Sequence, residues 1–165
     1  MLHTLIDTLA ADQATDVDAH CDVPCAIYDP AHLLIASLTV VRMIDIMEEL
    51  EGHKPDNPLV YHNTMARAVA MKEKHAEIVK HEVRIIWGDY LKAPQFEAYP
   101  NAHELVHNIM LTGSKAKQGV SRDDAVALHE LCNEFAEMFW ATKGVDTKRA
   151  AAPYKPGLET VYPAL

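Results

Sequence analysis

Prolines and glycines cut this chain into lengths that suit helices. Breakers stand at Gly52, Pro55 and Pro58, at Pro94 and Pro100, at Gly119 and at Gly144, each ending a run whose apolar residues recur at helical spacing. The first run, about 31–50, has Leu34, Leu38, Val41 and Asp45 on one side and Leu33, Val40, Ile44 and Met47 on the other. So wide a stripe predicts a largely buried helix, with Asp29 as N-cap and Pro30 in its first turn. The second covers about 61–90, with Met65, Val69, Lys72 or His75, Ile78 or Val79, and Ile85 or Ile86 near helical spacing. After a turn over 93–99, the third runs about 101–115. Ser121 caps the fourth, with Asp124 where a capping box would have Glu. Val126, Leu128, Leu131, Phe135, Met138 and Phe139 carry it to Lys143, and Gly144 stops it. No stretch shows sustained strand alternation. The expected fold is all-α, an antiparallel four-helix bundle that, with the stretch leading into its first helix, makes up 20–149. A tail, 150–165, contains Pro153, Pro156, Gly157 and Pro163 and is expected to be extended and packed on a neighbour.

At 165 residues the chain suits one domain with a real core. Its formal charge of −9 speaks against nucleic acid or an anionic membrane surface as partner. The longest strongly apolar stretch, 33–41, includes Ser37 and Thr39 and is too short to span a bilayer. Residues 1–19 hold Asp7, Asp12, Asp16 and Asp18 but no Lys or Arg, unlike a secretory signal. The expected location is cytoplasmic.

Chemistry concentrates in His20-Cys21-Asp22-Val23-Pro24-Cys25-Ala26-Ile27-Tyr28-Asp29-Pro30. It holds two of the three cysteines, too few for a disulfide framework. In a reducing compartment such a pair points to metal or redox chemistry. Cys21 and Cys25 can chelate one ion if the chain turns at Pro24. Cleavage between Ala19 and His20 would add a free α-amine, and the Cys21 amide could complete the chelate. Amine, amide and two thiolates form a square-planar set that suits Ni(II), whereas zinc prefers a tetrahedral one. Anionic donors also stabilise Ni(III), and an axial imidazole favours it further. On spacing alone, a local disulfide and a structural zinc clip remain open.

His-Cys-x-x-Pro-Cys-x-x-Tyr-Asp-Pro resembles the nickel hook of the nickel superoxide dismutases. Similarity continues through Lys72-Glu73, Ala76-Glu77, Lys80-His81, Trp87-Gly88-Asp89-Tyr90-Leu91-Lys92-Ala93-Pro94, Phe96-Glu97-Ala98-Tyr99-Pro100 and Phe139-Trp140-Ala141-Thr142-Lys143. The resemblance implies a leader, 1–19, removed by a maturation protease to expose His20. One nickel ion per subunit would be held by His20 through amine and imidazole, Cys21 through amide and thiolate, and Cys25 through thiolate. Asp22 and Pro24 would support these ligands, Pro24 through a cis bond. Tyr28 would stand over the open axial face, with Tyr90 supporting it through ordered water. Superoxide would become O2 and H2O2 by Ni(II)/Ni(III) cycling, in a homohexamer whose hooks are shielded by neighbours. Losing the leader removes four acids and no bases, which leaves the chain negative. Attraction of an anion must therefore be local, and Lys92 is the candidate.

The chain also departs from the family's pattern. Ala26 replaces the usual glycine, a mild backbone change. Ala36 and His75 stand where the family has the glutamate and arginine that orient the axial imidazole, so His75 is expected to substitute in part.

Two rival classes remain. His103-Glu104-Leu105-Val106-His107 is a literal H-E-x-x-H, the pattern of a zinc-dependent hydrolase; it lacks a downstream H-x-x-G-x-x-H, and an exposed helix face is the plainer reading. A non-catalytic metal-binding bundle is the other. Cys132, among Leu128, Leu131 and Phe135, reads as an inert buried thiol. Trp87 reads as a core aromatic, and His81 and His129 as capping or surface residues.

Overall fold

The computed structural model describes residues 25–165. Helix α1 (Ala31–Gly52) is followed by α2 (Pro58–Ile85), a π-helical turn (Ile86–Tyr90), short α3 (Ala93–Ala98), α4 (Ala102–Gln118) and α5 (Arg122–Thr142). Strands β1 (Thr147–Ala151) and β2 (Glu159–Pro163) close the chain.

Local chemistry explains the starts and stops. The Asp29 carboxylate accepts from the Ala31 N–H at 2.7 Å, Asn57 from Leu59 at 3.0 Å, and Ser121 from Asp124 at 3.2 Å. Each satisfies a donor that a helix start leaves open. Pro58 sits in the first turn of α2, where a missing N–H costs nothing; the helix therefore begins before Tyr61. Gly144, at φ +68°, ends α5. Its N–H donates to Ala141 and that of Val145 to Trp140, as in a left-handed C-cap.

The long helices form an antiparallel bundle in the cyclic order α1, α2, α4, α5. Cross-helix pairs fix the directions: Glu51 meets Tyr61 and Glu82 meets His32, so α1 and α2 run opposite ways. Asp45 pairs with Arg122 at 2.8 Å and Ser37 with His129 at 2.8 Å, which does the same for α1 and α5. Leu33, Val40, Val41, Ile44, Val79, Val83, Ile109, Leu128, Phe135 and Phe139 are fully buried between them.

The buried stripe of α2 is Ala68, Lys72, Ala76, Val79 and Val83; Met65, Val69 and Ile78 only pack against its edge. Lys72 is 2% exposed. Its ammonium donates to the carbonyls of Lys117, at 2.7 Å, and Gly119, capping the C-terminal end of α4 where carbonyls lack partners.

The tail differs from expectation. It is extended, but it pairs with itself: β1 and β2 are antiparallel, Thr147 opposite Pro163 and Ala151 opposite Glu159. The hairpin starts inside the span assigned to the bundle and packs on α5, burying Ala152, Thr160 and Val161. The β1 sequence, Thr-Lys-Arg-Ala-Ala, has no apolar alternation because that strand is almost wholly exposed.

His129 is likewise not a surface residue. It is 2% exposed, with Nε2 on the Glu159 carbonyl at 2.9 Å. The hairpin covers a ring that α5 alone would leave open.

Candidate metal centre

Cys25 is the donor of the hook that falls within the described residues; His20, Cys21, Asp22 and Pro24, with the cis bond expected there, lie outside them. Cys25 is half-buried. Ala26 follows at φ +53°, the left-handed region that glycine enters freely and other residues enter at a cost of roughly 1–2 kcal/mol. The alanine is therefore more than a mild change, because it occupies a conformation suited to the glycine it replaces. Ile27 is 71% exposed and Tyr28 only 8%, so the turn reverses the chain from solvent into the protein.

Tyr28 lands on Tyr90, ring centroids 5.5 Å apart and planes at 44°. Tyr90 in turn packs on Phe139 at 5.0 Å, and the Lys143 ammonium lies 4.7 Å from the Tyr90 ring centre. The π-helical turn delivers Tyr90 here. The Leu91 N–H reaches back five residues to Ile86 at 3.0 Å, widening the end of α2 before the chain becomes extended; such turns recur at functional sites. The Tyr90 hydroxyl and Thr142 Oγ1 are 2.7 Å apart. Thr142 spends its one hydrogen on the Phe139 carbonyl at 2.6 Å, so Tyr90 is the donor.

Beside Tyr28 lies a cavity of about 530 Å³ lined by Ile27, Asp29, His32, His81, Glu82, Ile85 and Ile86. His32 Nδ1 stands 3.9 Å from the Glu82 carboxylate, and His81 is exposed. These polar residues were not singled out from sequence as part of the site. Thr142 and Lys143 belonged to a family-like stretch, but no role had been assigned to them.

The structure brings Tyr28 and Tyr90 together. The His75 Nδ1 donates to the Met71 carbonyl on its own helix at 2.7 Å; His20, whose imidazole it is expected to orient, lies outside the described residues. His75 lies about 9 Å along α2 from His81 in the cavity wall, at 1.5 Å per residue. Ala36 is buried, and its methyl group has nothing to give an imidazole. Lys92 is half-buried at the start of α3, its N–H donating to Gln95 Oε1 at 3.0 Å.

Among the described residues, no three His, Cys, Asp or Glu side chains cluster closely enough to hold a metal. In the H-E-x-x-H stretch, His103 Nδ1 accepts from the Trp87 indole at 3.0 Å and its ring stacks on Phe96 at 4.2 Å. Trp87 is 37% exposed, a lid on His103 rather than a core aromatic. Cys132 is fully buried, and burial pushes its thiol up to about 12. No described helix is long and apolar enough to cross a membrane.

Residues 15–143 match the family model for nickel-containing superoxide dismutase. The superoxide dismutase [Ni] of Streptomyces coelicolor is 37% identical over 141 residues, covering 84% of this chain and 98% of that protein. That of Streptomyces seoulensis is 33% identical over 127 residues, 77% of this chain and 90% of its own. The native crystal structure of a nickel superoxide dismutase superposes with a TM-score of 0.64 at 35% identity, over 75% of this chain and 99% of that one. An apo structure gives 0.62 at 32%, over 72% and 99%. A donor-rich motif of this composition in the sequence, paired tyrosines in an antiparallel helical bundle, and these likenesses over most of the chain agree: the chain belongs to the nickel-containing superoxide dismutase family.

Proposed function

We propose that the superoxide dismutase activity of this chain resides in the hook, with nickel held by His20, Cys21 and Cys25 once cleavage before His20 frees the amine. The observation that carries this is the path after Cys25: three residues on, Tyr28 is buried against Tyr90 at the edge of the cavity. The donor set fits the metal, since two nitrogens and two thiolates suit square-planar Ni(II). When bound, nickel would supply a one-electron couple through which one superoxide is oxidised to O2 and a second, taking up two protons, is reduced to H2O2.

The chain's own residues do the rest. Tyr28 narrows access to the hook, and Tyr90 is held behind it by its bond to Thr142. His32, His81 and Glu82 line the cavity beside Tyr28 with groups able to bind and release a proton. Lys92 draws the anion locally, against the negative charge of the whole chain. Asp22 and Pro24 shape the hook. A homohexamer in the cytoplasm, where thiols stay reduced, completes this reading; sedimentation and cell fractionation test those two parts.

The deciding experiment compares protein beginning at His20 with protein beginning at Met1. The first takes up about one nickel per chain and shows a rhombic Ni(III) EPR signal, and the second shows neither. The reading fails if protein beginning at His20 binds no nickel, or if Cys25→Ser keeps both metal and signal.

A further inference from the structure

The family match ends at residue 143, and the hairpin lies beyond it. It is nevertheless held by three side chains. Within the bundle, Asn133 acts as a substitute strand: its Oδ1 accepts from the Val161 N–H at 3.0 Å and its Nδ2 donates to the Glu159 carbonyl at 2.9 Å. These are the backbone groups of β2 that point away from β1. His129 donates to the same Glu159 carbonyl and meets Ser37 of α1 through its other nitrogen. On the outside, Arg149 of β1 forks onto the Glu137 carboxylate at 2.7 and 3.1 Å and also bonds Glu130.

Its two ends meet the two halves of the metal centre. β1 starts five residues after Thr142, which holds the Tyr90 hydroxyl, and one turn beyond Lys143, which lies over the Tyr90 ring. The far end of β2 reaches the root of the hook: Tyr162 and Pro163 line a groove of about 180 Å³ with Asp29, Pro30, Ile35 and Trp140. Pro30 is buried, and Tyr28 is two residues before it. The hairpin thus joins the element that presents Tyr28 to the element that fixes Tyr90.

We propose that the hairpin, residues 147–163, is a positioning strap of the metal centre, setting the hook's root against the end of α5, with Asn133 and His129 as its buried anchors. This rests on the hook being the nickel site. Asn133→Ala removes two bonds to β2 while leaving the cysteines, His20 and both tyrosines untouched.

The test uses nickel-loaded protein beginning at His20, with the hairpin intact. In Asn133→Ala, nickel leaves about tenfold faster, in the range typical for loss of a group that supports metal ligands, and the Ni(III) EPR g-values shift. In the same variant without metal, hydrogen exchange over 26–34 rises about tenfold while that of α4 does not change. If Asn133→Ala does not fold, Arg149→Gln loosens the strap from outside, with changes of about threefold in the same directions. Unchanged EPR, nickel release and exchange over 26–34, whatever happens to Tm, would overturn the proposal. Cys25→Ser in the same series separates the two readings. If it keeps nickel, the hook assignment fails; if it loses nickel while the strap variants match the parent, only the strap fails.

Discussion

His129 meets Ser37 across the α1–α5 interface at 2.8 Å, and both side chains are buried. Nε2 must carry a hydrogen to bond the Glu159 carbonyl; the Ser37 hydroxyl also bonds the Leu34 carbonyl at 2.8 Å, so its one hydrogen is shared between that carbonyl and Nδ1 of the neutral ring. Burial holds its pKa below the ordinary histidine value, against the smaller upward pull of that carbonyl and of Glu130. A base with a depressed folded pKa binds its proton more readily when unfolded. Its contribution to stability is therefore complete above about pH 6.5, the unfolded value, and is lost as pH falls below it. Denaturant unfolding from pH 7.5 to 5 is expected to show this loss in the parent and a flatter profile in His129→Gln. Parallel profiles would contradict it.

Lys72 is the opposite case, a buried charge that fills a need. Burial lowers its pKa, but its ammonium serves the carbonyls of Lys117 and Gly119. Lys72→Met keeps the volume and strands both acceptors. The expected cost is about 2–3 kcal/mol, or roughly 5–10 °C in Tm for a chain of this size. Calorimetry on the two proteins measures it, and a Tm within a degree or so of the parent would contradict it.

Ala26 already sits in the left-handed region. A β-branched side chain there adds strain, whereas glycine removes it. Ala26→Val is expected to lose about 1–2 kcal/mol more than alanine and to release nickel faster. Ala26→Gly is expected to hold nickel at least as well as the parent, because relief of strain offsets the glycine's extra freedom when unfolded. Metal-release kinetics with a chromogenic chelator rank the three proteins.

Lys92 and Lys143 are the cations to compare for steering. Lys92→Ala is expected to lower kcat/KM about two- to fivefold at low salt and to flatten its ionic-strength dependence. The Lys143 ammonium is committed over the rings of Tyr90 and Phe139. Its loss should act on stability, by about 1 kcal/mol, more than on the salt slope. Pulse-radiolysis rates at several ionic strengths separate the two roles; an unchanged slope in Lys92→Ala removes it from the path of the anion.

What was readable in the sequence was local. Asp29, Ser121 and Gly144 announce helix ends because capping needs only neighbouring backbone, and the donor-rich hook points to metal or redox chemistry through residue type, with the metal itself coming from the resemblance. The buried face of α2 was harder to read, since Ala68 and Ala76 are small and Lys72 is charged; close packing, not hydrophobicity, selects them. His129 and Asn133 could not be read from α5, because their partners arrive with a strand about thirty residues later. The position of His75 follows from counting along the chain, whereas its bond to the Met71 carbonyl of its own helix is visible only in the structure.

The hydrogen bond from Tyr90 to Thr142 limits which molecules that phenol can greet. With its own hydrogen spent, the oxygen offers only lone pairs, so a visitor must bring a hydrogen of its own. Water and hydrogen peroxide can do so; superoxide, which has none, cannot. An oxygen so bonded would refuse the anion and receive only a molecule that carries a hydrogen.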